Sequence, residues 1–269
     1  MEIQEWKKRL DPYSQAVDEL LVKFKHITRE YKLRNEHSCI EQVDGRVKKI
    51  SSIIDKANRK NIKLEEVEDY IEDIAGIRII CQFVEDIYRV VELIKRRDDL
   101  IIKEEKDYVK HPKESGYRSY HIIIYYNVVG IDGSKKIHVE IQIRTLAMNF
   151  WAIIEHSLQY KYNKEIPKQI TNKLFNAAES VYWLDYEMSE IRNEIVDAQK
   201  CFKLKSDIVQ EVLNDLENLY NIANKNEVLW IQQEFYKIYR EGKMNELLDF
   251  KAYLDKIASE YKIQSYEYN

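Results

Sequence analysis

Residues 136–145 read Lys-Ile-His-Val-Glu-Ile-Gln-Ile-Arg-Thr, and few other stretches restrict the chain as tightly. Ile137, Val139, Ile141 and Ile143 fall on one face of an extended chain, and His138, Glu140, Gln142 and Arg144 on the other. β-Branched residues at a period of two specify a half-buried strand. A slip of one residue would turn all four aliphatic side chains into water, so the register is fixed. The polar row sets an acid, an amide and a guanidinium about 7 Å apart along one face. Two explanations are open: a solvated outer face, or the floor of a site that handles phosphate and a metal ion.

The rest of the chain narrows the setting. Its 269 residues allow one large domain or one domain with an extension, and a 45% hydrophobic fraction is enough for a core. Only six Gly and three Pro imply long regular elements. A net charge of −4 gives no global pull toward nucleic acid. Cys39, Cys81 and Cys201 stand singly, without metal-ligand spacing, which argues against a zinc site or a disulfide framework. No leader-like apolar segment opens the sequence and no run approaches a membrane span, so a cytoplasmic protein is expected.

Residues 3–34 are expected to be helical, with Pro12 as a kink or restart. Residues 46–60 hold six basic side chains against one acid, Asp55. Lys48, Ser52, Lys56 and Arg59 are spaced to share one helix face, where like charges repel unless an anion neutralises them. Residues 73–83 turn into a buried strand, with Asp73 and Arg78 bracketing Gly76 at its start. A helix over 86–97 follows, capped by Glu85 and Asp86, and then a short strand at 100–103. Residues 119–129 and 135–144 form a hairpin about Asp132-Gly133, which brings Tyr117 and His121 near the far end of the Glu140 strand. Helices are expected at 146–162 and 168–201, and two or three more at 206–262. There the stripe Val212, Leu216, Leu219 and Tyr220 is expected to fold back on 168–201. The class is α+β, a mixed β-sheet flanked by helices, with a helical C-terminal extension.

Asp73 and Glu140 are carboxylates at strand positions, and Mg²⁺ is commonly held by one or two carboxylates together with substrate phosphates. Arg46, Lys48, Lys56, Arg59 and Arg78 could neutralise a triphosphate, and Tyr117 could stack on a base. No Walker motif, G-x-G-x-x-G or H-E-x-x-H occurs. Charge and geometry together point to metal-assisted phosphoryl or nucleotidyl transfer.

At these residues the sequence resembles the synthetase domain of the RelA/SpoT homologues, and more closely the small alarmone synthetases of the RelQ type. The blocks that carry the resemblance are Gly45-Arg46-Val47-Lys48, Asp73 to Arg78, Lys113 to His121, Val139 to Thr145, and Leu146 to His156. The resemblance implies a fold related to the polymerase-β-like nucleotidyltransferases. It implies transfer of the β,γ-diphosphate of ATP to the 3′-OH of GDP or GTP, or of GMP, giving AMP and (p)ppGpp in the stringent response. Asp73 and Glu140 would hold Mg²⁺, and Glu140 would also take the 3′-OH proton. Arg46, Lys48, Ser52, Lys56 and Arg59 would cradle the ATP phosphates, while Arg46 and Arg78 sandwich adenine. Tyr117 would stack on guanine and Asn149 read its edge. Lys113, His121, Gln142 and Arg144 would meet the acceptor's phosphates and sugar.

On the same resemblance, residues 1–203 are the synthetase domain and 204–269 a helical extension of open role. No His-Asp dipeptide occurs, so a synthetase without a hydrolase domain is expected. Relatives of this type form homotetramers, some activated by pppGpp in a central cleft. Here Lys25 matches, but Gln42 stands where an aromatic is usual and Asp44 where Thr is, and Asp44 would repel a polyphosphate. Activation by product is therefore not expected. Two alternatives remain: a tRNA 3′-end pyrophosphokinase toxin of the same fold, and a non-catalytic RNA-binding regulator using the 46–60 stretch. That stretch is also compatible with weak RNA binding by the enzyme.

Overall fold

The computed structural model describes residues 3–131, 133–161, 167–241 and 243–267. The elements run α1 (Ile3–Leu33), β1 (Gln42–Val47), α2 (Ile50–Lys60), the short α3 (Val67–Tyr70), β2 (Ala75–Cys81), α4 (Val84–Lys95), β3 (Ile101–Asp107), β4 (Tyr120–Gly130), β5 (Gly133–Thr145), α5 (Leu146–Lys161), α6 (Lys168–Ile222), α7 (Lys225–Glu241) and α8 (Met244–Glu267). The chain divides into two compact units after Glu190, a point inside α6.

In the first unit one sheet takes the order β1-β2-β5-β4-β3. All neighbours are antiparallel except β2 and β5, which run parallel with Gly76 opposite Glu140 and Arg78 opposite Gln142. The sheet is mixed and helix-flanked, as expected. The alternation of β5 is realised: Ile137, Val139, Ile141 and Ile143 are buried, and the polar row faces the other way. Ile77 and Ile79 of β2 and Ile122, Ile124 and Tyr126 of β4 join them in one core with Tyr13, Leu20 and Phe24 of α1 and Ile87 and Val90 of α4. Each large aliphatic buried there contributes roughly 1.5–3 kcal/mol. One sheet face is thereby closed, which leaves the other for chemistry.

Several expectations change. Helix α1 continues through Pro12, because Trp6 before it and Tyr13, Ala16 and Val17 after it are all anchored in the core. Residues 42–47 form the edge strand β1, and Lys48 precedes α2 instead of lying on it. Its N–H donates to Ile74 O at 2.8 Å, and Lys49 is extended, so the helix starts too late to include Lys48. Asp73 lies in the turn before β2, not in the strand. Glu85 and Asp86 stand in the first turn of α4 as expected, but Phe83 holds the cap position, and Asp86 is fully buried, 3.1 Å from His37 and 3.0 Å from Arg89. Asp132, at the expected turn, and Tyr162, at the expected end of α5, lie outside the described residues.

The second unit has a core of its own. Val212, Leu216 and Leu219 of α6 are buried with Val228, Ile231 and Phe235 of α7 and Leu247, Phe250 and Leu254 of α8. The stripe cannot fold back on 168–201, because both stretches belong to one continuous helix. Tyr220 is turned off that face and is half exposed.

Candidate active site

The open sheet face is the floor of a cleft of about 740 Å³, within the usual range for ligand sites. Arg46, Lys56, Asp73, Arg78, Lys113, Tyr117, His121, Glu140, Gln142 and Arg144 all line it. Lys48 reaches it through Asp73: the ammonium groups of Lys48 and Lys56 both bond Asp73 Oδ2, that of Lys56 at 2.9 Å. Burial pushes the Asp73 carboxyl up, but the two lysines outweigh it and hold the group below the usual carboxylate range.

Glu140 sits at the centre. Arg144 donates through Nη2 to the Tyr117 hydroxyl at 2.9 Å and to Gln142 Oε1. Gln142 Nε2 donates to Glu140 Oε2 at 2.7 Å. On the other arm, Tyr117 Oη is 2.8 Å from His121 Nε2, and His121 Nδ1 is 3.1 Å from Glu140 Oε1. The network assigns the directions. A carboxylate only accepts, so His121 carries hydrogen on Nδ1 toward Glu140. Two arms thus leave Arg144 and end on the two oxygens of Glu140. Burial and the charge of Asp73 push the Glu140 carboxyl up, but the bonds from His121 and Gln142 prevail and leave it lowered.

Asp73 Oδ1 is buried with no hydrogen-bond partner. Such an oxygen beside Glu140 suits a cation. Among the described residues no group of three or more His, Cys, Asp or Glu could hold a metal. A cation here would draw its remaining ligands from phosphate oxygens and water, the habit of Mg²⁺.

Not every expected residue converges. Ser52 and Arg59 are exposed on α2 away from the cleft lining, and Arg59 Nε donates to Asp55 O at 3.3 Å. The late start of α2 takes Lys48 off the expected helix face; of the three residues that remain on the helix, Lys56 reaches Asp73 while Ser52 and Arg59 are exposed. Asn149 is half-buried on α5 and does not line the cleft, although its buried amide oxygen lacks a partner. Lys60, Tyr108 and His156 line the cleft without having been expected. Lys60 belongs to the basic stretch 46–60 and His156 ends the last of the blocks that carry the resemblance, whereas no pattern points to Tyr108.

Residues 45–165 match the model of the region found in RelA/SpoT proteins. GTP pyrophosphokinase YjbM of Bacillus subtilis (strain 168) is 51% identical over 205 residues, covering 76% of this chain and 97% of that protein. The chain belongs to the small alarmone synthetases of the RelA/SpoT family. Solved structures of the family agree with the fold. The small alarmone synthetase 1 from Bacillus subtilis bound to its product pppGpp superposes with a TM-score of 0.70 at 51% identity, over 72% of this chain and 99% of that one. The same enzyme bound to AMPCPP gives 0.64 at 47% identity, with coverage of 72% and 99%. That Bacillus subtilis enzyme is thus seen both with pppGpp and with AMPCPP.

Proposed function

We propose that the chain transfers the β,γ-diphosphate of ATP to the 3′-OH of GDP or GTP, releasing AMP and forming (p)ppGpp. The observation that carries this is the convergence of Glu140 and Asp73 in one cleft, with lysines on one flank and the Tyr117–His121 arm on the other. The relatives' names as GTP pyrophosphokinase and the pppGpp and AMPCPP complexes support it.

On this reading the donor enters over β1, β2 and α2. Arg46 and Arg78 flank the adenine by cation–π stacking, and Lys48 and Lys56 offset the triphosphate. The acceptor enters over β4 and β5. Tyr117 stacks on guanine, Asn149 reads the base edge, and Lys113, His121, Gln142 and Arg144 meet the sugar and phosphates. Glu140 accepts the 3′-OH proton as the oxygen attacks the β-phosphorus, and the α,β bridging oxygen leaves with AMP. Asp73 and Glu140 would hold a magnesium ion, whose chemistry there would be charge neutralisation at the phosphates. Positioning and electrostatics supply most of the remainder.

Ser52 and Arg59 are exposed and do not line the cleft, so their share in binding is smaller than that of Lys48 and Lys56. The enzyme works as a synthetase in the cytoplasm. Its surface includes an exposed apolar set on α5 (Leu146, Phe150, Ile154), which suits the homotetramer of the family.

The test is nucleotide chromatography with ATP and GMP, GDP or GTP in turn, with and without Mg²⁺. AMP release that needs both a guanine nucleotide and the metal is expected. Glu140→Gln should abolish transfer while leaving ATP binding near normal. AMP release with tRNA and none with guanine nucleotides would replace this reading by tRNA pyrophosphorylation. Salt-sensitive RNA binding without turnover would make the chain a regulator.

A further inference from the structure

The segments that carry the acceptor-side residues are fastened to one stretch of one helix. Gly116 has φ +84°, and a Cβ placed there would lie 2.6 Å from the Cβ of Ala178. The loop backbone therefore rests directly on α6, at a distance and in a conformation only glycine allows. Arg118, buried, donates to Glu179 Oε1 at 2.9 Å and to Gly116 O at 3.3 Å, and its guanidinium lies 4.7 Å over the ring of Tyr182. Tyr117 is thus held between two residues that are themselves fixed to α6.

A second segment is attached in the same way. Thr145 donates to Asp185 Oδ2 at 2.6 Å and accepts from Met148 N at 3.0 Å. That pair ends β5 one residue after Arg144 and starts the helix that bears Asn149. Trp151 Nε1 donates to Leu174 O at 2.9 Å, and Trp151 packs with Ala178, Leu174 and Val181. All these attachments fall between Leu174 and Asp185, about three helical turns. The donor-side groups Lys48, Lys56 and Asp73 are instead tied to one another.

We propose that residues 174–185 of α6 are a template that sets the acceptor side of the cleft, with Arg118, Glu179 and Asp185 as positioning residues for the guanine nucleotide. The proposal rests on the assignment of Tyr117 and Arg144 to that nucleotide. None of the three residues lines the cleft: they fix the segments that carry Tyr117 and Arg144, which do. Displacements well under 1 Å are enough to matter in such a site. The loss should appear in acceptor binding and spare the donor.

The experiment is steady-state kinetics of the full chain with ATP and GDP varied separately, beside thermal melting. Glu179→Ala should raise the KM for GDP roughly tenfold, with the KM for ATP within about twofold and the melting temperature near wild type. Glu179→Gln, which still accepts from Arg118, should restore most of the GDP affinity. Thr145→Val should act in the same direction as Glu179→Ala. Arg118 is buried and its variants could fail to fold, whereas Glu179 is partly exposed and keeps the test readable. A normal KM for GDP in Glu179→Ala, or equal losses for both nucleotides, would overturn the template. Wild-type protein that forms no product with any guanine nucleotide would overturn the functional reading beneath it.

Discussion

His121 Nδ1 stands 3.1 Å from Glu140 Oε1, and the other ring nitrogen stands 2.8 Å from the Tyr117 hydroxyl. The imidazole therefore links the ring assigned to guanine with the carboxylate assigned to the proton. His121 lies opposite Gln142 in the sheet, so β4 and β5 deliver both bonds to Glu140 from adjacent positions. The bond to Nδ1 orients Glu140 and keeps it ionised. His121→Ala should lower kcat about 10- to 100-fold, the usual cost of losing a hydrogen-bond partner that orients an active-site group. Asn places an N–H where Nδ1 was, so His121→Asn should recover part of that loss. Equal activity of the Ala and Asn variants would show that the hydrogen bond does not carry the effect.

Lys48 and Lys56 share Asp73 Oδ2. The folded carboxyl is held below its ordinary value, so its stabilisation is present above the unfolded value near 3.8 and is lost as pH falls through the lower, folded one. Lys48→Met removes one of the two cations and lets burial act, so the Asp73 pKa rises. The acid limb of the stability curve should then move to higher pH. Chemical denaturation between pH 3 and 6 would show it, and an unmoved limb would count against the ion pair. The KM for ATP should rise in the same variant, because one phosphate-side charge is gone.

Much of this site is written in local pattern. The alternation of β5 names its own faces, and the Asp-Gly turn names its hairpin partner, so sequence alone places Glu140, Gln142, Arg144 and His121 together. Strand β1 is hidden because Asp44, Gly45 and Arg46 interrupt its apolar signal with only Val43 and Val47 remaining. The start of α2 is obscured in a related way, since spacing alone cannot tell a residue on a helix from one just before it. The bonds from Thr145 to Asp185 and from Arg118 to Glu179 join positions 40 and 61 residues apart. No periodicity encodes such pairs: they exist only once α6 has packed against the sheet.

Phe235 is almost fully buried between α6, α7 and α8, in the core that contains none of the first unit's buried residues. Deleting a buried aromatic ring costs about 3–5 kcal/mol. Phe235→Ala should therefore lower the stability of the second unit and leave the cleft chemistry intact. Calorimetry should show an early transition in the variant, with AMP release at low temperature equal to wild type. A single transition shifted as a whole, with proportional loss of turnover, would mean that the two cores melt together.

Asp185 offers a change in the opposite direction. Burial raises its carboxyl, the Thr145 hydroxyl partly lowers it, and Glu85 raises it further, to about 6. A carboxyl whose folded value exceeds its unfolded value of 3.8 binds its proton more tightly in the folded state. Stability then declines as pH rises from about 4 to about 6, and the full cost of the buried charge remains at every higher pH. An asparagine in its place cannot ionise, yet its amide oxygen still accepts from Thr145. Asp185→Asn should match wild type near pH 4 and exceed it by on the order of 1–3 kcal/mol at pH 8. The gap should open between pH 4 and 6 and stay level above that. Because the bond to Thr145 survives, the KM for GDP should stay near wild type, unlike that of Thr145→Val. Urea denaturation across that range measures the gap, and a difference independent of pH would refute the assignment of the ionised carboxylate as its source.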